Sequence, residues 1–238
     1  MPPFLSRLIS WLKLFRPEPV GVDLRERLRG AAGACAGLLA TGLVSRLTLG
    51  SMPATAQLLA PMGASAVLLF AVPASPLAQP WSIVGGNMIS ALIGVTCWKL
   101  VPDPVLASAL AVGLAIGAMF KLRCLHPPSG AVALTAVLGA PAIHDLGYGF
   151  LVAPLGINTL LLVGMALVVN NATGHRYPHR AAVRPVFRFG LHPEDLDDIL
   201  DHQSELLDIS RDDLMTLFDE MERRARLRER TPLRAAAE

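Results

Sequence analysis

The chain has 238 residues, 53% hydrophobic and only 17% charged, where a soluble domain of this size carries about a quarter charged residues. A net charge of +2 gives no reason to expect a nucleic-acid partner. Between residues 30 and 170 the only charged side chains are Arg46, Lys99, Asp103, Lys121, Arg123 and Asp145, so an apolar centre lies between charged ends, as in an integral membrane protein.

The opening stretch, FLSRLISWLKLFRPEP, is not a secretory signal, because Arg7, Lys13 and Arg16 interrupt its apolar residues and no small-residue cleavage site follows. On a helix, Leu5, Leu8, Leu12 and Phe15 share one face, and Arg7, Ser10 and Lys13 another. Residues 1–29 therefore read as an interfacial amphipathic segment anchored by Trp11. Six apolar segments follow over residues 30–170. Segments 31–49, 81–98, 105–120 and 148–169 approach the roughly 20 residues that cross a hydrocarbon core. Segments 61–72 and 128–140 are shorter, and each begins with proline.

Counting all six as crossings brings three basic groups to one side: Arg7 to Arg29, Lys121 with Arg123, and Arg176 to Arg188. The positive-inside rule makes that side cytoplasmic, with both termini on it. Cys35, Cys97 and Cys124 show neither a disulfide framework nor metal-site spacing. Residues 171–238 read as a cytoplasmic helical tail of two amphipathic helices. Pro193 suits a first helical turn, and Ser210 with Asp213 an N-cap. One predicted stripe is Leu196, Ile199 and Leu200; the other is Leu214, Leu217, Phe218 and Met221.

The six segments divide into three plus three, residues 30–100 and 104–170. PMGASAVL (Pro61–Leu68) lines up with PSGAVALT (Pro128–Thr135), and GGNMISALIG (Gly85–Gly94) with GINTLLLVG (Gly156–Gly164). Three crossings per repeat force the halves into opposite orientations, the inverted-repeat plan of many transporters. The residue before a proline is pushed toward extended geometry, so Ala60 and His126 are predicted to be non-helical. Each short helix would then begin partway into the membrane, at Pro61 and at Pro127–Pro128. A helix start carries unpaired N–H groups and about half a positive charge, which suits a small anion. Gly63, Ala64, Gly130 and Ala131 leave room beside that backbone, and Ser65 and Ser129 supply hydroxyls. His126, beside Lys121 and Arg123, reads either as a titrating group at the cytoplasmic mouth or as a turn-fixing residue. Asn87 and Asn158 face the pathway or link helices. No acid–base pair, nucleophile with a base, or metal cluster stands out, so neither an enzyme nor a cofactor or metal is expected.

These stretches resemble the HPP family of integral membrane proteins, named for its His-Pro-Pro triplet. The matching blocks are PMGASAVLLFAVPASPLAQPW (Pro61–Trp81), GGNMISALIGV (Gly85–Val95) and HPPSGAVALTAVLGAP (His126–Pro141). The resemblance implies a multi-span protein of the bacterial inner membrane or the plastid envelope, and makes nitrite the leading substrate. It also implies, in many bacterial relatives, a nucleotide-sensing module beyond the tail; this sequence ends at Glu238. A homo-oligomer is the default assembly. The rival reading is a membrane-embedded sensor or scaffold that signals through its cytoplasmic helices.

Overall fold

The structure, a computed structural model, describes residues 21–50, 52–53, 57–179, 193–202 and 207–235, with Arg7, Trp11, Leu12 and Phe15 before them. The interfacial helix predicted over residues 1–20 thus lies almost wholly outside the described residues. All regular structure among the described residues is helical.

Helix α1 (Leu24–Thr48) begins seven residues before the predicted span. Asp23 is the reason: its carboxylate accepts from the Glu26 N–H at 2.7 Å and caps the first turn. Arg25, Arg27 and Arg29 therefore ride on the helix and do not precede it. A buried stripe of Gly30, Gly33, Gly37, Thr41 and Ser45 runs along it, and its glycines face the next helix, α2 (Pro61–Ala71). A Cβ at Gly33 or Gly37 would lie 2.8 or 2.7 Å from the Phe70 ring, so these glycines allow α1 and α2 to close together.

Helix α3 (Pro80–Leu100) follows, after a 3-10 turn at Pro76–Ala78. Next come α4 (Pro104–Lys121), capped by Asp103 onto the Leu106 N–H, and α5 (Pro128–Leu138). At 11 residues each, α2 and α5 rise about 16 Å, half of a hydrocarbon core about 30 Å thick. The chain leading into each completes the distance.

The segment predicted over 148–169 is not one helix. Helix α6 (Pro141–Leu146) leads through a 3-10 turn (Gly147–Leu151) and a π turn (Val152–Gly156) to α7 (Ile157–Ala172). Ala153 leaves the helical region (φ −137°, ψ 124°), and Pro154 has no N–H to continue the ladder. Gly147 takes φ +52°, a conformation that favours glycine.

Each half is thus a long helix, a short helix and a third helix, and the third packs on the other half's pair. Helices α1, α2 and α7 form one group, and α4, α5 and α3 the other. Two apolar cores result. One centres on Met62, Phe70, Phe150 and Leu162, and the other on Ala111, Ala115, Met119 and Ala133.

In the tail, α8 (Pro193–Asp201) starts at the predicted proline, and α9 (Arg211–Ala235) follows. The Asp213 N–H donates to Ser210 Oγ at 3.1 Å, and that hydroxyl donates to Asp213 Oδ2, the predicted cap. Arg211 grips Asp197 with two guanidinium nitrogens and ties the helices together. The predicted stripe differs in use: Leu217, Phe218 and Met221 are exposed, and Met215 is buried instead.

Candidate functional site

The chain between α4 and α5 folds back into the bundle because α3 presents Gly85 and Gly86 to it. A Cβ at Gly85 would lie 2.9 Å from Cys124 Cβ. One at Gly86 would lie 2.8 Å from Ser129 Oγ, 2.9 Å from Cys124 O and 3.0 Å from His126 Cβ. Further along α3, a Cβ at Gly94 would meet Ala133 O at 2.8 Å. This glycine series lets α5 and its lead-in lie directly on the α3 backbone.

The outcome for His126 is burial. Its side chain is fully enclosed, while Lys121 and Arg123 stay exposed, so it does not sit at an open mouth with them. Nδ1 lies 2.8 Å from Leu77 O in the turn after α2, and a carbonyl only accepts, so Nδ1 carries the proton. Nε2 then accepts from the Ser65 hydroxyl at 2.9 Å. Ser65 is the fifth residue of α2, so the lead-in of one short helix is bonded to the middle of the other.

The two asparagines do related work. Asn158, near the start of α7, is fully buried and makes three bonds. It accepts from the Leu59 N–H at 3.1 Å, and donates to Gln57 O and to Ser45 Oγ at 3.0 Å each. It therefore holds the lead-in of α2. Asn87 on α3 accepts from Ser129 Oγ at 2.8 Å and donates to Thr159 Oγ1 at 3.0 Å. It holds the second residue of α5 and reaches across to α7. Of their two predicted roles, linking helices is the one these bonds perform.

Two predictions about the helix starts need correction. Ala60 is helical, at φ −52° and ψ −39°, despite the proline after it. The pre-proline restriction is a bias, and 3-10 bonds from Met62 to Leu59 O and from Gly63 to Ala60 O outweigh it here. The N–H groups predicted to be unpaired are also taken, since Ser129 and Gly130 bond His126 O and Pro127 O in the same way. The Ser65 and Ser129 hydroxyls are committed to His126 and Asn87.

What remains open is one strip on each short helix. Ala60, Ala64, Val67 and Ala71 are exposed on α2, and Pro127, Ala131, Leu134 and Leu138 occupy the corresponding positions of α5. Gly63 and Gly130 lie within these strips, and a Cβ at either would meet nothing within 4 Å. The predicted residues thus separate into a buried network (Ser65, Asn87, His126, Ser129, Asn158, with Pro61 and Pro128 beside it) and an open set (Gly63, Ala64, Pro127, Gly130, Ala131).

Sequence reasoning missed the clamp on the far end of α2. Asn170 Nδ2 donates to Leu69 O at 2.9 Å, and Arg29 donates to Phe70 O at 2.8 Å and to Asn170 Oδ1 at 3.0 Å. A cation and an amide at the negative end of a helix satisfy its last carbonyls. The signals were an asparagine pair closing a span and an arginine one turn inside α1. Thr159 and Ser45 also went unnoticed, being single hydroxyls in apolar runs. Among the described residues no three His, Cys, Asp or Glu side chains converge as metal ligands.

Three unbroken helices and the interrupted helical run Pro141–Ala172, all long and apolar enough to span, with two half-length helices laid between them, define a polytopic membrane protein. The transmembrane region of the HPP family matches residues 19–178, and the chain belongs to that family. It is 37% identical over 181 residues to a transmembrane protein of Dictyostelium discoideum, covering 74% of this chain and 57% of that protein. A second transmembrane protein of Dictyostelium discoideum is 40% identical over 126 residues, covering 51% of this chain and 44% of that protein. The chain thus spans about half the length of these relatives. No solved structure matches it.

Proposed function

We propose that this protein carries nitrite, or a similar small inorganic anion, across a membrane between its two short helices. The observation that carries the reading is the pair of half-length helices whose starts lie inside the bundle, with His126 of one bonded to Ser65 of the other. Broken helices from two halves are the usual place for a transporter's site. The shared long–short–third pattern and the exchanged third helices support an inverted repeat.

With the first-turn amides and both serine hydroxyls already bonded, an anion here meets the helix dipoles and the open backbone at Gly63 and Gly130. Contacts of that strength suit passage more than tight capture, since conduction needs binding weak enough to leave. Short helices with irregular lead-ins do not face lipid within a hydrocarbon core. A homo-oligomer would cover their open strips.

Arg25, Arg27 and Arg29 share one end of the bundle with Lys121 and Arg123, because Arg29 clamps α2 where the chain turns into α3, and Trp81 Nε1 there donates to Leu122 O. That grouping supports a cytoplasmic assignment for both termini. The bacterial inner membrane and nitrite itself rest on family resemblance. The reading gives the protein no catalytic step, cofactor or metal.

The test is nitrite uptake into proteoliposomes, with nitrate, formate and chloride as competitors. Gly63→Val and Gly130→Val add side chains where the fold has room, so flux should fall while thermal stability stays near wild type. Absent flux in folded wild-type protein would refute transport. The docked tail, with Ser75 bonded to Asp208 at 2.5 Å, favours a second reading as a sensor or scaffold. Deleting residues 190–238 separates the two, because a transporter keeps most of its flux and a sensor loses its output.

A further inference from the structure

The turn between α2 and α3 is bonded on both sides. Toward the bundle, Leu77 O accepts from His126 Nδ1 at 2.8 Å and Pro76 O accepts from Ser82 Oγ at 2.9 Å. Toward the C-terminal part of the chain, Ser75 Oγ donates to Asp208 Oδ1 at 2.5 Å, and Gln79 Oε1 accepts from the His179 N–H at 2.9 Å. Ala78 O accepts from the Tyr177 hydroxyl at 2.7 Å. Burial pushes the Tyr177 phenol up in pKa, so it stays protonated and donating. His179 Nε2 in turn donates to Asp213 at 2.8 Å, in the first turn of α9. The Ser75 hydroxyl also accepts from the Leu77 N–H at 3.1 Å, so the atom that meets the tail shapes the peptide that meets His126.

We propose that this turn is a relay through which the tail positions His126, and with it the join between the two short helices. Asp208 and Asp213 are positioning residues: docked, they hold Ser75 and His179, the turn keeps Leu77 O under His126, and His126 keeps its bond to Ser65. A partner or modification that draws the tail away would loosen the lead-in of α5 first, because the Leu77 carbonyl fixes the His126 ring whose other nitrogen meets Ser65. The transport reading enters only in what the relay would regulate, and the physical coupling is measurable without flux.

Cys124 is the built-in reporter. It lies two residues before His126, is fully buried against Gly85, and would meet solvent only if that lead-in opens. Cys97, buried near the opposite end of α3, reports general loosening. The experiment measures N-ethylmaleimide labelling of each cysteine by peptide mass in the purified full chain. It compares wild type with Asp208→Ala/Asp213→Ala and with Asp208→Asn/Asp213→Asn. Loss of the two hydrogen bonds that join the tail to Ser75 and His179 should raise Cys124 labelling roughly five- to thirtyfold and leave Cys97 unchanged. The asparagine pair, which keeps one acceptor for Ser75 and one for His179, should label like wild type.

Unchanged Cys124 labelling in the alanine pair overturns the relay, as does an equal rise at Cys97 or an asparagine pair that behaves like alanine. A chain that moves no nitrite would still give the Cys124 response if the relay is right. A chain that moves nitrite without that response would keep the transport reading and lose this one.

Discussion

Replacing Asn158 by alanine should cost the fold more than the same change at Asn87, although the two residues hold corresponding parts of the two halves. Asn158 serves two main-chain groups in the lead-in of α2, the Leu59 N–H and the Gln57 carbonyl, as well as the Ser45 hydroxyl. The Leu59 N–H is buried and has no water to turn to. An unmade buried hydrogen bond costs about 1–3 kcal/mol, and helix-linking bonds in membrane proteins average about 0.6, so Asn158→Ala should lose about 2–4 kcal/mol. Asn87 serves only the hydroxyls of Ser129 and Thr159, which can rotate toward carbonyls of the chain just before their own helices. Its replacement should cost about 1 kcal/mol. Denaturant titration of the purified variants in mixed micelles, followed by helical circular dichroism, measures both. Equal losses, or a larger loss for Asn87→Ala, would refute the argument that lead-in backbone is what Asn158 sustains.

Three further outcomes follow from the geometry. Gly86→Ala places a methyl 2.8–3.0 Å from Ser129 Oγ, Cys124 O and His126 Cβ, and should destabilise by about 1–3 kcal/mol, the usual cost of overpacking, whereas Gly113→Ala on the open face of α4 should be near neutral. Arg29→Ala removes the guanidinium from Phe70 O and Asn170 and should destabilise the α1–α2 join, with amide exchange rising at the last turn of α2 before the rest of the bundle. Ser65→Ala leaves His126 Nε2 without its partner at the same burial; hydrogen-exchange protection should fall in both short helices, and a change confined to α2 would contradict the bond between them.

Much of this architecture was legible along the chain, because its causes are local. Hydropathy marks the spans, and prolines open every helix from α2 to α6; the caps at Asp23 and Asp103 are as local, yet hydropathy starts the first span at residue 31. The joint pattern of Pro61–Trp81, Gly85–Val95 and His126–Pro141 was sufficient to assign the family. The site was legible in membership more than in role. Ser65, Asn87, His126, Ser129 and Asn158 come together as a set, yet as an internal lock whose donors and acceptors are mostly spent on one another.

That difference was decided only by tertiary structure. Whether a histidine beside two cationic residues faces water depends on what α3 offers it, and two adjacent glycines forty residues earlier admit it to the interior. Whether a helix start keeps free amides depends on the turn before it, and a 3-10 bond requires only that the preceding carbonyl lie near. Arg29 at the end of α2, and the tail against Ser75, join residues more than forty and more than a hundred positions apart. Composition and periodicity determine which segments leave water. Which polar groups then meet inside is set by the packing of those segments, because an apolar environment gives each buried donor or acceptor no partner except another part of the same fold.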